Sequence, residues 1–165
     1  MTVNQESVVK IKFKKADITI RFDADLCTGC GSCELMCSLF REGVGGPAMA
    51  RCRVDRDPFN AEHLFHVCRQ CLAPSCYAAC PFQGKAQVID PDTGIRYINE
   101  EECVGCKKCI KACPFDPPEI KFNSEKKKSY TCDLCRERAE GPVCVEYCPT
   151  NALQIVSGKK EKERK

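Results

Sequence analysis

The chain has 165 residues, 43% of them hydrophobic and 30% charged, with no tryptophan and seventeen cysteines. That length suits a single domain. Its apolar runs are only a few residues long, far below the roughly 18 needed to span a bilayer, which excludes direct membrane insertion as a helix. The formal net charge of +3 is too small to argue for nucleic-acid binding.

The first predicted elements are two short strands, Val8–Phe13 and Ile18–Phe22, around a turn at Lys15-Ala16-Asp17. A first cysteine quartet follows, Cys27-x2-Cys30-x2-Cys33-x3-Cys37. Residues Cys33–Arg41 read as a helix that stops in the loop Gly43-Val44-Gly45-Gly46-Pro47. That loop follows no strand and lacks Lys-Ser/Thr, so it is not a phosphate cradle. Arg51–Asp55 alternates apolar and charged residues, as a half-buried strand does, and turns Cys52 inward beside Val54. The simplest role for Cys52 is a small buried apolar residue. His63 and His66 precede the second quartet, Cys68-x2-Cys71-x4-Cys76-x3-Cys80. Histidines do ligate iron in Rieske centres, but a full set of cysteines leaves these two an outer-shell role.

Gln87–Asp90 and Ile95–Ile98 flank Pro91-Asp92-Thr93-Gly94, a hairpin signal. The third quartet, Cys103-x2-Cys106-x2-Cys109-x3-Cys113, repeats the first. Glu119–Phe122 and Lys128–Thr131 form another strand pair around Asn123-Ser124. The fourth quartet, Cys132-x2-Cys135-x8-Cys144-x3-Cys148, carries an insertion, and Ala152–Val156 is a final strand. The basic tail 158–165 and the run Lys126-Lys127-Lys128 read as solvated charge.

Three cysteines at three-residue spacing wrap three corners of an iron–sulfur cubane, and the fourth, in two-cluster ferredoxins, ligates the neighbouring cluster. Pro81, Pro114 and Pro149 follow the last cysteine of quartets two to four, whereas Ser38 stands there in the first. A secreted disulfide framework would need an export signal and an oxidising compartment. The N-terminal sequence shows no apolar signal region, cleavage site or twin arginine, which favours a reduced, cytoplasmic setting. Structural zinc combines Cys-x2-Cys pairs, not triplets followed by a fourth cysteine and proline. The cofactor expected is therefore four [4Fe–4S] clusters. Each oxidised cubane with its four thiolates carries about −2, which moves the net charge from +3 to about −5. Metal-coupled folding of small domains implies an apo form that is unfolded or molten.

Quartets two and three, joined by the hairpin, read as one complete two-cluster ferredoxin. Quartets one and four then pair around it. This nested version places Cys27, Cys30 and Cys33 with Cys148; Cys68, Cys71 and Cys76 with Cys113; Cys103, Cys106 and Cys109 with Cys80; and Cys132, Cys135 and Cys144 with Cys37. The alternative pairs quartet one with two and three with four. The expected fold is α+β, two ferredoxin-like units in one domain over 1–165. An outer half spans 8–60 and 119–157, and an inner half spans 61–118.

Taken together, these quartets resemble the iron–sulfur subunits found beside molybdenum and tungsten oxidoreductases, the dimethyl sulfoxide reductase iron–sulfur subunit family, over residues 22–156. Finer likeness lies in Leu26-Cys27-Thr28-Gly29-Cys30-Gly31-Ser32-Cys33-Glu34-Leu35-Met36-Cys37-Ser38-Leu39 with Glu42-Gly43. It lies also in Ala112-Cys113-Pro114-Phe115-Asp116-Pro117-Pro118 and Gly141-Pro142-Val143-Cys144-Val145-Glu146-Tyr147-Cys148-Pro149-Thr150. These are similar to small polyferredoxins that accompany tungsten aldehyde oxidoreductases and the class II benzoyl-CoA reductase of strict anaerobes, where a serine at position 38 is ordinary. The resemblance implies nested pairing, four cubanes and no catalytic residue. It also implies a large tungsten- or molybdenum-pterin subunit as partner, with an electron-bifurcating or flavin subunit, or a soluble ferredoxin, as candidates for the other end. Lys107, Lys108 and Arg69 are candidates for tuning cluster potentials. A dehydratase or radical enzyme would need an iron without a protein thiolate, and every quartet here is full. A free polyferredoxin serving several enzymes, or a subunit of a formate dehydrogenase or hydrogenase complex, is the alternative reading.

Overall fold

The computed structural model describes residues 14–60 and 62–157. The expected strand Val8–Phe13 and the basic tail lie outside them. Among the described residues eight short strands and four α-helices make a mixed α+β fold: β1 Ile18–Phe22, α1 Ser32–Glu42, β2 Arg53–Arg56, β3 His63–His66, α2 Ser75–Ala78, β4 Gln87–Ile89, β5 Arg96–Ile98, α3 Lys108–Lys111, β6 Ile120–Asn123, β7 Lys128–Thr131, α4 Val143–Glu146 and β8 Leu153–Ser157. The strands form antiparallel pairs, β2 with β3, β4 with β5, β6 with β7, and the first strand with the last, Ile20 opposite Ile155. α1 packs on α4, and α2 packs on α3.

The hairpins fall where the turn residues put them. In the β4–β5 turn, the Asp90 carboxylate accepts from the main-chain N–H groups of Asp92 and Thr93 at 2.9 and 2.8 Å, as an Asx turn requires. Two details differ from the sequence reading. The strand expected at Arg51–Asp55 begins at Arg53, with Arg51 and Cys52 in a bend before it, although Cys52 and Val54 are both buried as expected. Its partner β3 carries a histidine at each end, which masks the apolar pattern that marks a strand. Across the pair, Arg53 faces His66 and Arg56 faces His63.

α1 is the one long helix of the described residues, and its length explains Ser38. The prolines after quartets two to four lie beyond one-turn helices, whereas position 38 lies inside α1. There the Ser38 hydroxyl donates to the carbonyl of Leu35 and accepts from the N–H of Gly46, both at 2.9 Å, so it ties the following loop to the helix. Gly43 closes α1 in the left-handed conformation, its N–H donating to Leu39. A proline at 38 would clash with the carbonyl of Glu34 and remove a helix bond. Ser38→Pro is therefore expected to lower stability by about 3 kcal/mol or more, read as a shift in the denaturant midpoint of the cluster-loaded protein.

Two buried clusters form the core. The larger gathers Ala16, Val54, Phe65, Val67, Ile95, Leu134 and Leu153 with Cys33, Cys37, Cys52, Cys132 and Cys144. The smaller gathers Ala86, Ile98 and Ile120 with Cys103 and Cys109. Cysteines thus stand where a domain of this size normally places aliphatic side chains. No described helix is long and apolar enough to cross a membrane.

Candidate functional site

Each quartet begins in a loop and ends in or just after a helix, so its last cysteine is carried away from the first three. Cys148 follows α4, and since α4 packs on α1 it returns to the first loop. A void of about 350 Å³ is lined there by Cys27, Cys30, Cys33 and Cys148, closed by Phe22, Val54 and Phe65. A second void, about 320 Å³, is lined by Cys80, Cys103, Cys106 and Cys109. A third, about 450 Å³, is lined by Cys68, Cys71, Cys76 and Cys113. The remaining quartet thiols, Cys37, Cys132, Cys135 and Cys144, are all buried. Cys132 lies within electrostatic reach of Cys144 and Cys37, and Cys135 lies within reach of Cys144 and the Arg41 guanidinium. Twelve of the quartet cysteines therefore gather in fours, each set joining three from one quartet to the last of another.

The chemistry of these groups fits a polynuclear iron–sulfur core. Burial, then the charge of Cys68, pushes the Cys76 thiol up to about 12. Burial also raises Cys132, Cys68 and Cys109. Four such thiols cannot all ionise without cations among them. Among the described residues no group of three converges on a point that would hold a single ion. The sulfurs instead surround voids, which suits a cubane better than one zinc.

Main-chain amides already point at several sulfurs. Arg51 N–H donates to Cys37 Sγ at 3.2 Å, Leu134 to Cys132 and Glu119 to Cys113 at 3.4 Å, and Gly29 to Cys27 at 3.5 Å. Bonds of this kind tune cluster potentials. Of the side chains expected to do so, Arg69 lines the third void and its charge favours the Cys71 thiolate. Lys107 lines the second void, but its ammonium sits 3.9 Å over the Phe122 ring. Lys108 is exposed at the start of α3. Neither histidine lines one of these three voids. His63 packs its ring against Gly29, and His66 lies 3.1 Å from Asp55 and 3.7 Å from Glu119.

Sequence reasoning missed Gln70, Arg51 and Lys121, whose ammonium donates to the carbonyls of Ala50 and Cys52 at 2.6 and 2.9 Å. Gln70 sits between Cys68 and Cys71, 4% exposed. Its amide nitrogen donates to the carbonyls of Arg96 and Cys132 at 3.1 and 3.0 Å, and its oxygen accepts from Arg96 N–H at 2.6 Å. It therefore latches the second cysteine loop to β5 and to the start of the fourth. Gln70→Ala strands three main-chain groups in the interior and is expected to cost about 1–3 kcal/mol, measured by chemical denaturation of the loaded protein.

Cysteine-lined voids on a frame of short hairpins define an iron–sulfur protein of ferredoxin type. The chain belongs to the 4Fe-4S dicluster domain family, whose model matches residues 60–158, and a 4Fe-4S binding domain model matches residues 24–41. The polyferredoxin-like subunit of aliphatic sulfonate oxidoreductase from Pyrococcus furiosus is 39% identical over 144 residues, 86% of this chain and 79% of that one. Electron transport protein HydN of Escherichia coli is 30% identical over 158 residues, 84% and 87% of the two chains. A solved active site complex BamBC of benzoyl coenzyme A reductase aligns with TM-score 0.48 and 27% identity, over 84% of this chain and 76% of that one, too distant a match to define the fold.

Proposed function

We propose that the chain is a non-catalytic electron-transfer subunit of an oxidoreductase complex, carrying four [4Fe–4S] clusters. The observation that carries this reading is completeness: each group holds four thiols, and none leaves an iron position open to substrate. In the ligand sets we assign, Cys27, Cys30, Cys33 and Cys148 hold one cluster. Cys68, Cys71, Cys76 and Cys113 hold the second, and Cys103, Cys106, Cys109 and Cys80 the third. Cys132, Cys135, Cys144 and Cys37 hold the fourth. The outer unit is then closed by the β1–β8 pair and the α1–α4 contact, around an inner unit built on α2 and α3. Such clusters, when bound, supply one-electron acceptors whose potentials follow burial and hydrogen bonding to sulfur. The protein's own part is to hold the thiolates, exclude water with residues such as Phe22, Phe65 and Ile98, and aim amides at the sulfurs.

The partner in this reading is a large tungsten- or molybdenum-pterin subunit, in the cytoplasm of an anaerobe. Relatives described as a polyferredoxin-like subunit of an oxidoreductase and an electron transport protein support the electron-transfer role on which that assignment is built. Anaerobic co-purification from the native source tests it. A stable complex with a pterin-containing large subunit, whose centre is reduced only when this chain is present, is the expected result. A chain isolated alone that turns over substrate would overturn it.

A further inference from the structure

Two of the seventeen cysteines are exposed, Cys30 and Cys106; every other one is half-buried or buried. Cys30 lines the first void and Cys106 the second. The two cores order what lies between them. Cys68 of the third void packs against the larger core, with Cys33 and Cys148 of the first. Cys76 of the third void packs against the smaller core, with Cys103 and Cys109 of the second. The first and second voids are therefore the two ends, and each brings one sulfur to the surface.

The two mouths differ in charge. Around Cys30 the lining residues Thr28, Gly29, Gly31, Ser32, Pro149 and Thr150 are uncharged. The nearby Arg56 guanidinium is taken up by the Glu34 carboxylate and the Gly29 carbonyl. Around Cys106 the charge is basic. Lys107 and Lys108 follow it, Lys111 ends α3, and all three are exposed. Lys85 is exposed in the turn between Phe82 and Ala86, which both line the second void. The β6–β7 turn packs on the same loop, with the Lys127 carbonyl against Gly105. Glu101 and Glu102 precede the loop, and the Lys128 ammonium reaches in beside them to the carbonyls of Glu101 and Cys103. Among the described residues Lys85, Lys108 and Lys111 form no ion pair. Phe82 and Val104, 40% and 60% exposed, give the mouth an apolar centre, and an apolar centre with a charged rim is the anatomy of a protein interface.

We propose that the Cys106 mouth is the docking surface for a soluble one-electron carrier with an acidic face. The electron passes between that carrier and the cluster held by Cys103, Cys106, Cys109 and Cys80, so the proposal rests on that ligand set. The carrier is oxidised by one electron as the cluster is reduced by one, and no bond or proton moves. Both mouths hold a cluster of the same charge, so the lysines decide between them. The loaded chain is net acidic, at about −5. An acidic carrier is therefore repelled over most of its surface and steered to this end.

The test uses the full chain, purified anaerobically with its clusters. A small acidic [2Fe–2S] ferredoxin, chemically reduced beforehand, is mixed with it in a stopped-flow cell at several salt concentrations. Wild type is compared with the triple variant Lys85→Glu, Lys108→Glu, Lys111→Glu. A control of equal charge change is Lys159→Glu, Lys160→Glu, Lys162→Glu in the tail. Iron content and cluster potentials are measured for each, which separates docking from ligand loss and from driving force. The wild-type rate constant is expected to fall as salt rises. Reversal at the Cys106 mouth is expected to lower it by at least about tenfold at low salt, with the loss vanishing at high salt and the tail control close to wild type. Glutamine at the same three mouth positions is expected to give a rate in between. An unchanged rate in the fully loaded mouth variant, or an equal loss in the tail control, would overturn the proposal. Iron below four cubanes in the wild type would instead overturn the ligand sets on which it rests.

Discussion

Removal of iron is expected to abolish cooperative folding of this chain. Each sheet of the described residues has two strands, and an isolated hairpin is at best marginal in water. Three of the four α-helices have four residues, too few to persist without tertiary support. The support comes from cores in which cysteines supply five of thirteen buried residues and two of five. Without metal those thiols are small, weakly polar groups lining voids, and their burial contributes little. Metal binding in structural zinc sites is worth about 10–16 kcal/mol, as much as the whole stability of a typical domain at about 5–15 kcal/mol. The four clusters proposed for 165 residues make that dependence stronger. Circular dichroism after anaerobic chelation should show no cooperative thermal transition, and a retained sharp transition would contradict the account.

The second large effect concerns ligands that cross between quartets. Cys148 belongs by sequence to the fourth quartet but lines the void of the first. Replacing it with serine is therefore expected to expose Cys27, Cys30 and Cys33 to alkylation, while Cys132, Cys135 and Cys144 stay protected. Iron should fall by up to about four atoms per chain, the content of one cubane. Cys113→Ser should likewise expose Cys68, Cys71 and Cys76 and spare Cys103, Cys106 and Cys109. Mass spectrometry of the alkylated chain reads both results directly. Labelling confined to the substituted quartet's own neighbours, Cys132 to Cys144 or Cys103 to Cys109, would contradict cross-ligation.

What could be read from residues alone follows from the range of the interactions involved. Cysteine spacing is local, so the twelve cysteines that line the three voids were legible. The β4–β5 and β6–β7 hairpins were legible because their turn residues lie between their strands. α1 was placed to within about one residue by its glycine stop. β3 was not recognised, because His63 and His66 stand at its ends and blur its alternation. The union of β1 with β8 joins residues near opposite ends of the chain, and no local pattern announces it. Gln70, Arg51 and Lys121 were equally silent. Their importance comes from where their amides and ammonium end up, and a glutamine between two cysteines has no signature of its own. Cys52 shows the same limit: its burial beside Val54 was legible, but its place in one core with Cys33, Cys37 and Cys144 was not.

The central claim is that every quartet cysteine is spent on a cubane and none is left for catalysis at an open iron. Iron and acid-labile sulfide analysis of the anaerobically purified chain tests it most directly. The account requires about sixteen of each per chain, the content of four cubanes. About twelve of each, or bound zinc in place of iron, would contradict it.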